Sequence, residues 1–248
     1  MIICKKFDAR DPIYTIEDWK EKCPPAKIEH WKDGRSAKEL AKDWTKNRGK
    51  DLEIIIGSYP EFKGIRFIKA SPEYESRFDS YGKGRHHDLL VLASDIKGQV
   101  LVSVEAKADE SFGPLMKDVY LKKITNRLKG IPTHAPNRIE DLMKWIFSEN
   151  LTPKIFDYRY QLLHGVAGII AESKKREINR AIFVINVYKS DNKDIFSPED
   201  NSNNIKDLEL FISHLSKGKV NKIGEEELYR IISIDDIDLY LIKREIKI

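Results

Sequence analysis

The feature that most constrains the fold is an alternating run near the middle of the chain. From residue 100 to residue 108 every even position is apolar. The odd positions carry a mixed set: Leu101, Ser103, Glu105 and Lys107. Because successive side chains of a β-strand point to opposite faces, this pattern predicts a strand with one buried face and one accessible face that carries functional side chains. The apolar run 88–93 predicts a strand before it, and the segment 94–98, which ends in glycine, predicts a tight turn between the two.

The turn determines which residues of this hairpin lie opposite each other. If its middle falls between Ile96 and Lys97, Asp88 lies across from Glu105, and Lys107 follows on the same face. Directly opposed carboxylates repel unless one is protonated or a cation lies between them. Mg²⁺ commonly binds one or two carboxylates and completes its shell with water and substrate phosphate. The hairpin therefore predicts a Mg²⁺ or Mn²⁺ site, at which the lysine can orient or deprotonate an attacking water.

The rest of the chain predicts a mixed α/β protein. Residues 34–44 have helical periodicity, with Ser36 and Glu39 at capping-box spacing, whereas residues 52–57 fit either a strand or a helix end. The segment 109–157 is broken by prolines and predicts a mostly helical insertion. Further along, the pattern predicts a strand at 65–68, a helix at 158–175, a strand at 181–188, a polar loop at 190–204, a helix at 205–215, and strands at 229–234 and 239–248. We expect a single domain over 1–248, with its core at about 35–190 and a C-terminal helix and strands at 205–248.

Composition narrows the function classes only slightly. The net charge of +4 is too small to indicate a nucleic-acid binder by itself. Two cysteines, Cys4 and Cys23, lack the spacing of a zinc site and indicate a reducing compartment. The first residues contain no apolar stretch of signal-peptide length, and no apolar run is long enough to cross a bilayer. We therefore expect a cytoplasmic protein without a membrane partner.

Asp88, sixteen intervening residues and the sequence Glu105-Ala106-Lys107 together resemble the PD-(D/E)xK nuclease superfamily, which includes restriction endonucleases and many repair nucleases. The order of predicted elements agrees over roughly residues 35–190, although His87 replaces the proline that often precedes the aspartate. The resemblance implies a restriction-endonuclease-like αβββαβ core, with a mixed central sheet flanked by helices. It also implies a Mg²⁺-dependent phosphodiester hydrolase in which Asp88 and Glu105 bind the metal and Lys107 is the catalytic lysine.

The resemblance implies two further candidate residues for this site, Glu39 and Gln161. Some members carry a glutamate on the first helix that joins the metal site, and Glu39 matches that position, although we favour its capping box with Ser36. Other members carry a glutamine on the helix after the lysine strand, where this chain has Gln161 as a candidate catalytic residue. His164, one turn further along, is interpreted as a packing or surface residue.

The segment that leads into Asp88 is basic and contains two glycines. Its candidate nucleic-acid contacts are Arg77, Tyr81, Lys83, Arg85 and His86. Cations on such a loop suit contacts with backbone phosphates, and a tyrosine can stack on a base or sugar. A solvated loop whose charges serve solubility accounts for the segment equally well. The basic residues within 117–129 spread around a predicted helix, which favours a solvated helix over a binding face.

Three hypotheses for the function stay open. The first is a metal-dependent nuclease acting on DNA, with a homodimer expected if both strands of a duplex are cut. The second is a nuclease-like fold kept as a non-catalytic nucleic-acid-binding or interaction module, against which the intact set of Asp88, Glu105 and Lys107 argues. The third is a soluble enzyme acting on small phosphate esters or nucleotides. A helical metal phosphohydrolase built on His87-Asp88 fits poorly, because Asp88 opens a strand.

Overall fold

The computed structural model describes residues 1–7, 10–190 and 198–248. Within these ranges the chain forms a seven-stranded sheet with helices on both faces. The strands are β1 (Ile2–Ile3), β2 (Arg66–Ser76), β3 (Arg85–Asp95), β4 (Gly98–Lys107), β5 (Arg180–Lys189), β6 (Leu228–Ile234) and β7 (Ile237–Lys247). The α-helices are α1 (Ile16–Lys22), α2 (Ser36–Asn47), α3 (Lys50–Gly57), α4 (Met116–Leu128), α5 (Ala135–Phe147), α6 (Tyr160–Lys175) and α7 (Pro198–Leu215).

The sheet is mixed, with the strand order β1-β2-β3-β4-β5-β7-β6. The pairs β1–β2, β4–β5 and β5–β7 are parallel, and the other neighbours are antiparallel. Parallel neighbours need a crossover connection, which α4, α5 and α6 provide between β4 and β5. These observations confirm the α/β class, the mixed sheet flanked by helices and the mostly helical segment at 109–157.

Two hydrophobic layers hold the helices on the sheet. In one layer, Trp44 of α2 belongs to the same buried cluster as Val102 of β4. In the other, Val166 of α6 and Phe211 of α7 belong to the same cluster as Leu101 of β4. The adjacent residues 101 and 102 thus enter opposite layers, as strand alternation requires.

The alternation predicted for β4 is correct, but the expectation of one accessible face is wrong. Glu105 and Lys107 are only 1% and 4% exposed. β4 is an interior strand between β3 and β5, and α6 packs against the sheet from the side on which these two residues lie. A strand with polar residues on one face can be buried on both faces when those polar groups pair with one another.

The β3–β4 hairpin has the predicted register. Its ladder runs from the pair Leu89–Val104 to the pair Asp95–Gly98, which places the two-residue turn at 96–97. The ambiguous residues 52–57 belong to helix α3, and β2 extends well past the predicted 65–68, to Ser76. The short apolar run before Gly57 is a helix because it packs against the sheet on one side only, with Leu52 and Ile56 buried.

The C-terminal prediction is mostly confirmed. β6 and β7 form a hairpin whose turn contains Asp235 and Asp236, both with positive φ. Helix α7 begins at Pro198, earlier than the predicted 205, and the predicted polar loop falls largely on residues 191–197, outside the described residues. None of the described helices is long and apolar enough to cross a lipid bilayer.

Candidate active site at the open end of the β3–β4 hairpin

The alternation of side chains slips by one residue where β2 and β3 reach the candidate site. Tyr74 and His87 lie on the α6 side of the sheet, where the Tyr74 hydroxyl donates to Glu172 of α6 at 2.8 Å. Leu89 belongs instead to the layer of α2. Between them, Glu73 and Asp88 both line a small cavity that also contains residues of α2. Glu73 has φ of +49°, a conformation that residues other than glycine seldom adopt, and this local irregularity accompanies the slip.

Because of this slip, Asp88 and Glu105 do not form the directly opposed pair that the register predicts. The β3–β4 ladder ends at Leu89–Val104, one residue short of that pair. Beyond it, Oδ2 of Asp88 accepts a hydrogen bond from the backbone N–H of Ala106 at 2.7 Å. The Asp88 carboxylate thus lies against the backbone between Glu105 and Lys107, while the Glu105 side chain points toward α6.

On the α6 side, Glu105 is the centre of a buried ion-pair group. Nζ of Lys107 donates to Oε1 of Glu105 at 2.7 Å, and the guanidinium of Arg85 donates to Oε2. Burial alone would raise the pKa of Glu105, but the charges of Arg85 and Lys107 hold it below its ordinary value. The ammonium of Lys107 also lies 5.5 Å from the ring centre of Phe112. Both oxygens of Glu105 are therefore held by cations.

The two carboxylates beside this group, Asp88 and Glu73, differ from Glu105 in their ion pairing and in their pKa values. Neither Asp88 nor Glu73 forms an ion pair with another described residue. Burial and the neighbouring charge of Glu105 raise the pKa of Asp88. Burial and the charge of Asp88 raise the pKa of Glu73 to about 8, against a smaller opposing effect of Arg85. The site thus holds two half-buried acidic groups whose negative charges are poorly compensated.

Glu73 is a member of the site that the sequence pattern does not predict. It comes opposite Asp88 only through the pairing of β2 with β3, whose register brackets the two residues with the pairs Pro72–Leu89 and Tyr74–His87. The connection between β2 and β3 has no short turn from which that register could be predicted. The signal that was available is Pro72, because a proline inside a strand indicates an edge or an irregularity.

The contacts that the structure gives for the two weaker candidates, Glu39 and Gln161, are with residues outside this group. Oε1 of Glu39 accepts from the backbone N–H of Gly34 and from Nζ of Lys42, both at 2.8 Å, so the carboxylate closes the start of α2. The capping box with Ser36 is wrong in detail, because the N-cap is the residue before it and the Ser36 hydroxyl donates to a glutamate after β4. Gln161 lies in the first turn of α6 with its side chain beside Gly113.

The predicted nucleic-acid contacts fall into two groups. Arg77, Lys83 and His86 are exposed on the surface. Arg85 is bound to Glu105, as described above. Tyr81 donates its hydroxyl proton to a carboxylate of α5, and its ring stacks on the histidine that precedes α5 with a centroid distance of 5.8 Å. The last two side chains are therefore engaged with the protein itself.

Two histidines near the site pack against other side chains, with His87 buried and His164 half-buried. The ring nitrogens of His87 lie 2.7 Å from Oγ of Ser103 and 2.9 Å from Oγ of Ser76, and burial holds its pKa well below the ordinary value. The ring of His164 packs on Tyr160 at a centroid distance of 4.0 Å, and burial lowers its pKa to about 3. The interpretation of His164 as a packing residue is thus consistent with its surroundings.

The carboxylates of the site offer oxygen ligands for a metal ion. Among the described residues, no group of three or more His, Cys, Asp or Glu side chains is arranged to hold a metal ion. Asp88 and Glu73 nevertheless fit a hard divalent cation in chemistry, because such an ion would relieve the repulsion that raises both pKa values. Glu105 can join them only where Arg85 moves off its carboxylate.

Comparison with known proteins adds a family but no activity. No curated protein and no solved structure matches the chain. One family model, described as a domain of unknown function (DUF6946), matches residues 12–247. The match includes strands β2 to β7 and all the carboxylates of the candidate site. The chain therefore belongs to the DUF6946 family.

Proposed function

We propose that this protein is a metal-dependent nuclease that hydrolyses phosphodiester bonds in DNA, built on a restriction-endonuclease-like core. The observation that best supports the proposal is the position of the Asp88 carboxylate against the backbone between Glu105 and Lys107, beyond the last ladder pair of β3 and β4. Asp88 is hydrogen-bonded to the backbone of the residue between the other two. The order α2, β2, β3, β4, α6, β5 supports the core, with α3, α4 and α5 as additions.

The metal ion would be Mg²⁺ or Mn²⁺. Asp88 would hold it together with Glu73, and Glu105 would become a ligand after its ion pair with Arg85 opens. When bound, such an ion polarises a phosphate oxygen and lowers the pKa of a water molecule. Glu39 has no part in the proposal, since its carboxylate accepts hydrogen bonds at the start of α2, whereas Gln161 on α6 stays a candidate catalytic residue.

The cations of the site have roles of their own. Burial lowers the pKa of Lys107, but the neighbouring carboxylates of Glu105 and Asp88 raise it overall, so the side chain stays charged. A charged lysine can donate a hydrogen bond to a water or a phosphate oxygen and stabilise negative charge that develops in the reaction. Arg85, once released from Glu105, would supply a second positive charge for the same phosphate.

A cleavage assay tests the proposal. The protein is incubated with supercoiled plasmid, linear duplex DNA, single-stranded DNA and RNA, in Mg²⁺, in Mn²⁺ or in EDTA. We expect DNA cleavage that needs the metal and falls at least about 100-fold in Asp88→Asn and Lys107→Met. Asp236→Asn is the matched control, because this carboxylate is exposed in the β6–β7 turn, where asparagine tolerates a positive φ. Cleavage that persists in EDTA or in Asp88→Asn contradicts the proposal.

A second candidate is a module that binds nucleic acid without cutting it. The closed ion-pair group supports this alternative, because Arg85 and Lys107 already hold both oxygens of Glu105. In that case no metal-dependent cleavage is observed, and Lys107→Met leaves the affinity for nucleic acid unchanged. A nuclease instead shows the loss of cleavage described above with its affinity retained.

A further inference from the structure

A large groove lies along the free edge of β2. β1 pairs only with Lys69 and Ala70, so the part of β2 beyond residue 71 has no strand partner on that side among the described residues. The groove has a volume of about 1180 Å³ and lies between residues 5–7, the edge of β2 and the C-terminal end of α6. The fold therefore leaves an open channel beside the strand that carries Glu73.

The walls of this groove are strongly basic. The lysines and arginines that line it are Lys5, Lys6, Lys22, Lys83, Lys175 and Arg176, and the carboxylates are Glu73 and Glu75. The whole chain has a net charge of only +4, because acidic residues elsewhere nearly balance the basic ones. Positive charge is thus concentrated in one concave surface, where it attracts a polyanion more strongly than the same charges spread over the molecule.

Two of the six cations have structural partners within the protein. Lys22 pairs with Asp11 at 2.6 Å, and Arg176 pairs with Glu172 at 2.7 Å. The Arg176 guanidinium also lies 4.6 Å from the ring centre of Phe7, which fixes the floor of the groove. These contacts shape the groove and are satisfied without a ligand.

The other four cations are available to a ligand. Lys5, Lys6, Lys83 and Lys175 are exposed and form no ion pair with any described residue. They come from three separate parts of the chain: the segment after β1, the connection before β3, and the last turn of α6. Only the tertiary structure brings them around one channel, so they are not simply a basic stretch of sequence.

The groove adjoins the candidate active site. Glu73 lines the groove, and it also lines the small cavity that contains Asp88. The face of β4 that carries Glu105 and Lys107 is covered by α6, so a substrate cannot approach across that face. The edge of β2 offers an approach from the side.

We propose that this groove binds a strand of nucleic acid through its phosphates and leads it to Asp88. Four ammonium groups without an ion-pair partner among the described residues match, along a channel, a chain of regularly spaced phosphates. A membrane surface fits less well, because the basic residues line a concavity. The direction toward Asp88 rests on the proposed nuclease function, whereas binding in the groove does not.

Fluorescence anisotropy in EDTA measures this binding without any cleavage. The ligands are one short fluorescein-labelled oligonucleotide, as a single strand and as a duplex, and the competitor is poly-L-glutamate. The groove variant is the double substitution Lys5→Glu/Lys175→Glu. The control is Lys46→Glu/Lys63→Glu, which makes the same charge change at exposed lysines of α2 and of the turn before β2, outside the groove.

We expect the groove variant to raise the Kd for nucleic acid at least about tenfold and to reduce the slope of log K against log salt by about 1.5, since each lost phosphate contact lowers it by about 0.7 to 0.9. The control should change the Kd less than about threefold. Comparison of single strand with duplex identifies the preferred form. Equal affinities of the groove variant and the control overturn the proposal, as does competition by poly-L-glutamate that matches unlabelled DNA.

The same variants separate this proposal from the proposed function. If binding depends on the groove but no metal-dependent cleavage is observed, the groove proposal is supported and the nuclease proposal is contradicted. If metal-dependent cleavage is observed but the groove variant binds nucleic acid with unchanged affinity, the nuclease proposal is supported and the groove proposal is contradicted. Circular dichroism of both double variants establishes that each is folded before the affinities are compared.

Discussion

The two ends of the β3–β4 hairpin use the same strands but hold charge in opposite ways. At the turn end, Asp95 accepts hydrogen bonds from two nitrogens of Arg180, each at 2.7 Å, and from the backbone N–H of Lys97. Burial raises the pKa of Asp95, but these donors bring it below its ordinary value. At the open end, Asp88 and Glu73 have no ion-pair partner among the described residues, and both pKa values are raised.

This difference in charge compensation distinguishes a carboxylate that stabilises the fold from carboxylates that are suited to a reaction. A carboxylate that serves only the fold is stabilised when a cation and backbone donors neutralise it, as at Asp95. Carboxylates kept close together with raised pKa values destabilise a fold, and such groups are concentrated at functional sites. We therefore propose a structural role for the turn end and a functional role for the open end, and the following predictions test that division.

The largest effect is expected from Glu105→Gln. Loss of this carboxylate leaves Arg85 and Lys107 buried without their shared counter-charge, which should lower the free energy of unfolding by about 3 kcal/mol. Metal-dependent cleavage should also fall at least about 100-fold. Urea denaturation and the plasmid assay measure the two quantities. An unchanged cleavage rate would place the chemistry elsewhere in the molecule.

A smaller and purely structural effect is expected from Asp95→Asn. The asparagine oxygen can still accept from Lys97, but the ion pair with Arg180 is lost, at a cost of about 1 to 2 kcal/mol. The cleavage rate should stay within about twofold of wild type at a temperature where the variant is folded. A large loss of activity in this variant would remove the distinction between the two ends.

Two glycines of α6 sharpen the comparison. A Cβ at Gly165 would lie 2.7 Å from a ring carbon of Phe183, and a Cβ at Gly168 would lie 2.9 Å from the ring of His87 and 3.1 Å from Cβ of Arg85. Alanine at either position should cost about 1 to 2 kcal/mol, because overpacking exceeds the gain in helix propensity. Only Gly168→Ala should also reduce cleavage, since Arg85 holds Glu105. Urea midpoints and cleavage rates of the two variants check this, and equal activities would contradict it.

The smallest effect concerns acid. Burial lowers the pKa of His164 to about 3 from an ordinary value of 6.5, so the unfolded chain binds this proton at a higher pH than the folded protein does. Its contribution to stability is therefore present above pH 6.5 and decreases as the pH falls from 6.5 toward 3. Between pH 7 and pH 5.5 the loss should be about 1 kcal/mol. His164→Phe should show a weaker pH dependence of the urea midpoint over this interval, and an identical slope would refute the assignment.

Much of the hairpin could be predicted from the sequence because its determinants are local. A two-residue turn at Ile96 and Lys97 sets the register of the two strands, and period-two alternation assigns each side chain of β4 to a face. The same local rules located the helix that carries Gln161 and the C-terminal hairpin. The nuclease function itself stays a proposal.

The tertiary structure decided which charged groups meet and how they are compensated. The slip at Glu73 and Asp88 breaks the predicted cross-strand pair, and it depends on the pairing of β2 with β3 across a connection that has no turn signal. The sequence pattern did not predict that Arg85 pairs with Glu105, and this pairing follows from burial under α6, where an unpaired carboxylate is costly. Strand alternation and turns depend on residues that are close in sequence, so the sequence alone predicts them. Ion pairs, bulges and grooves join residues from distant segments, so only the packed molecule determines them.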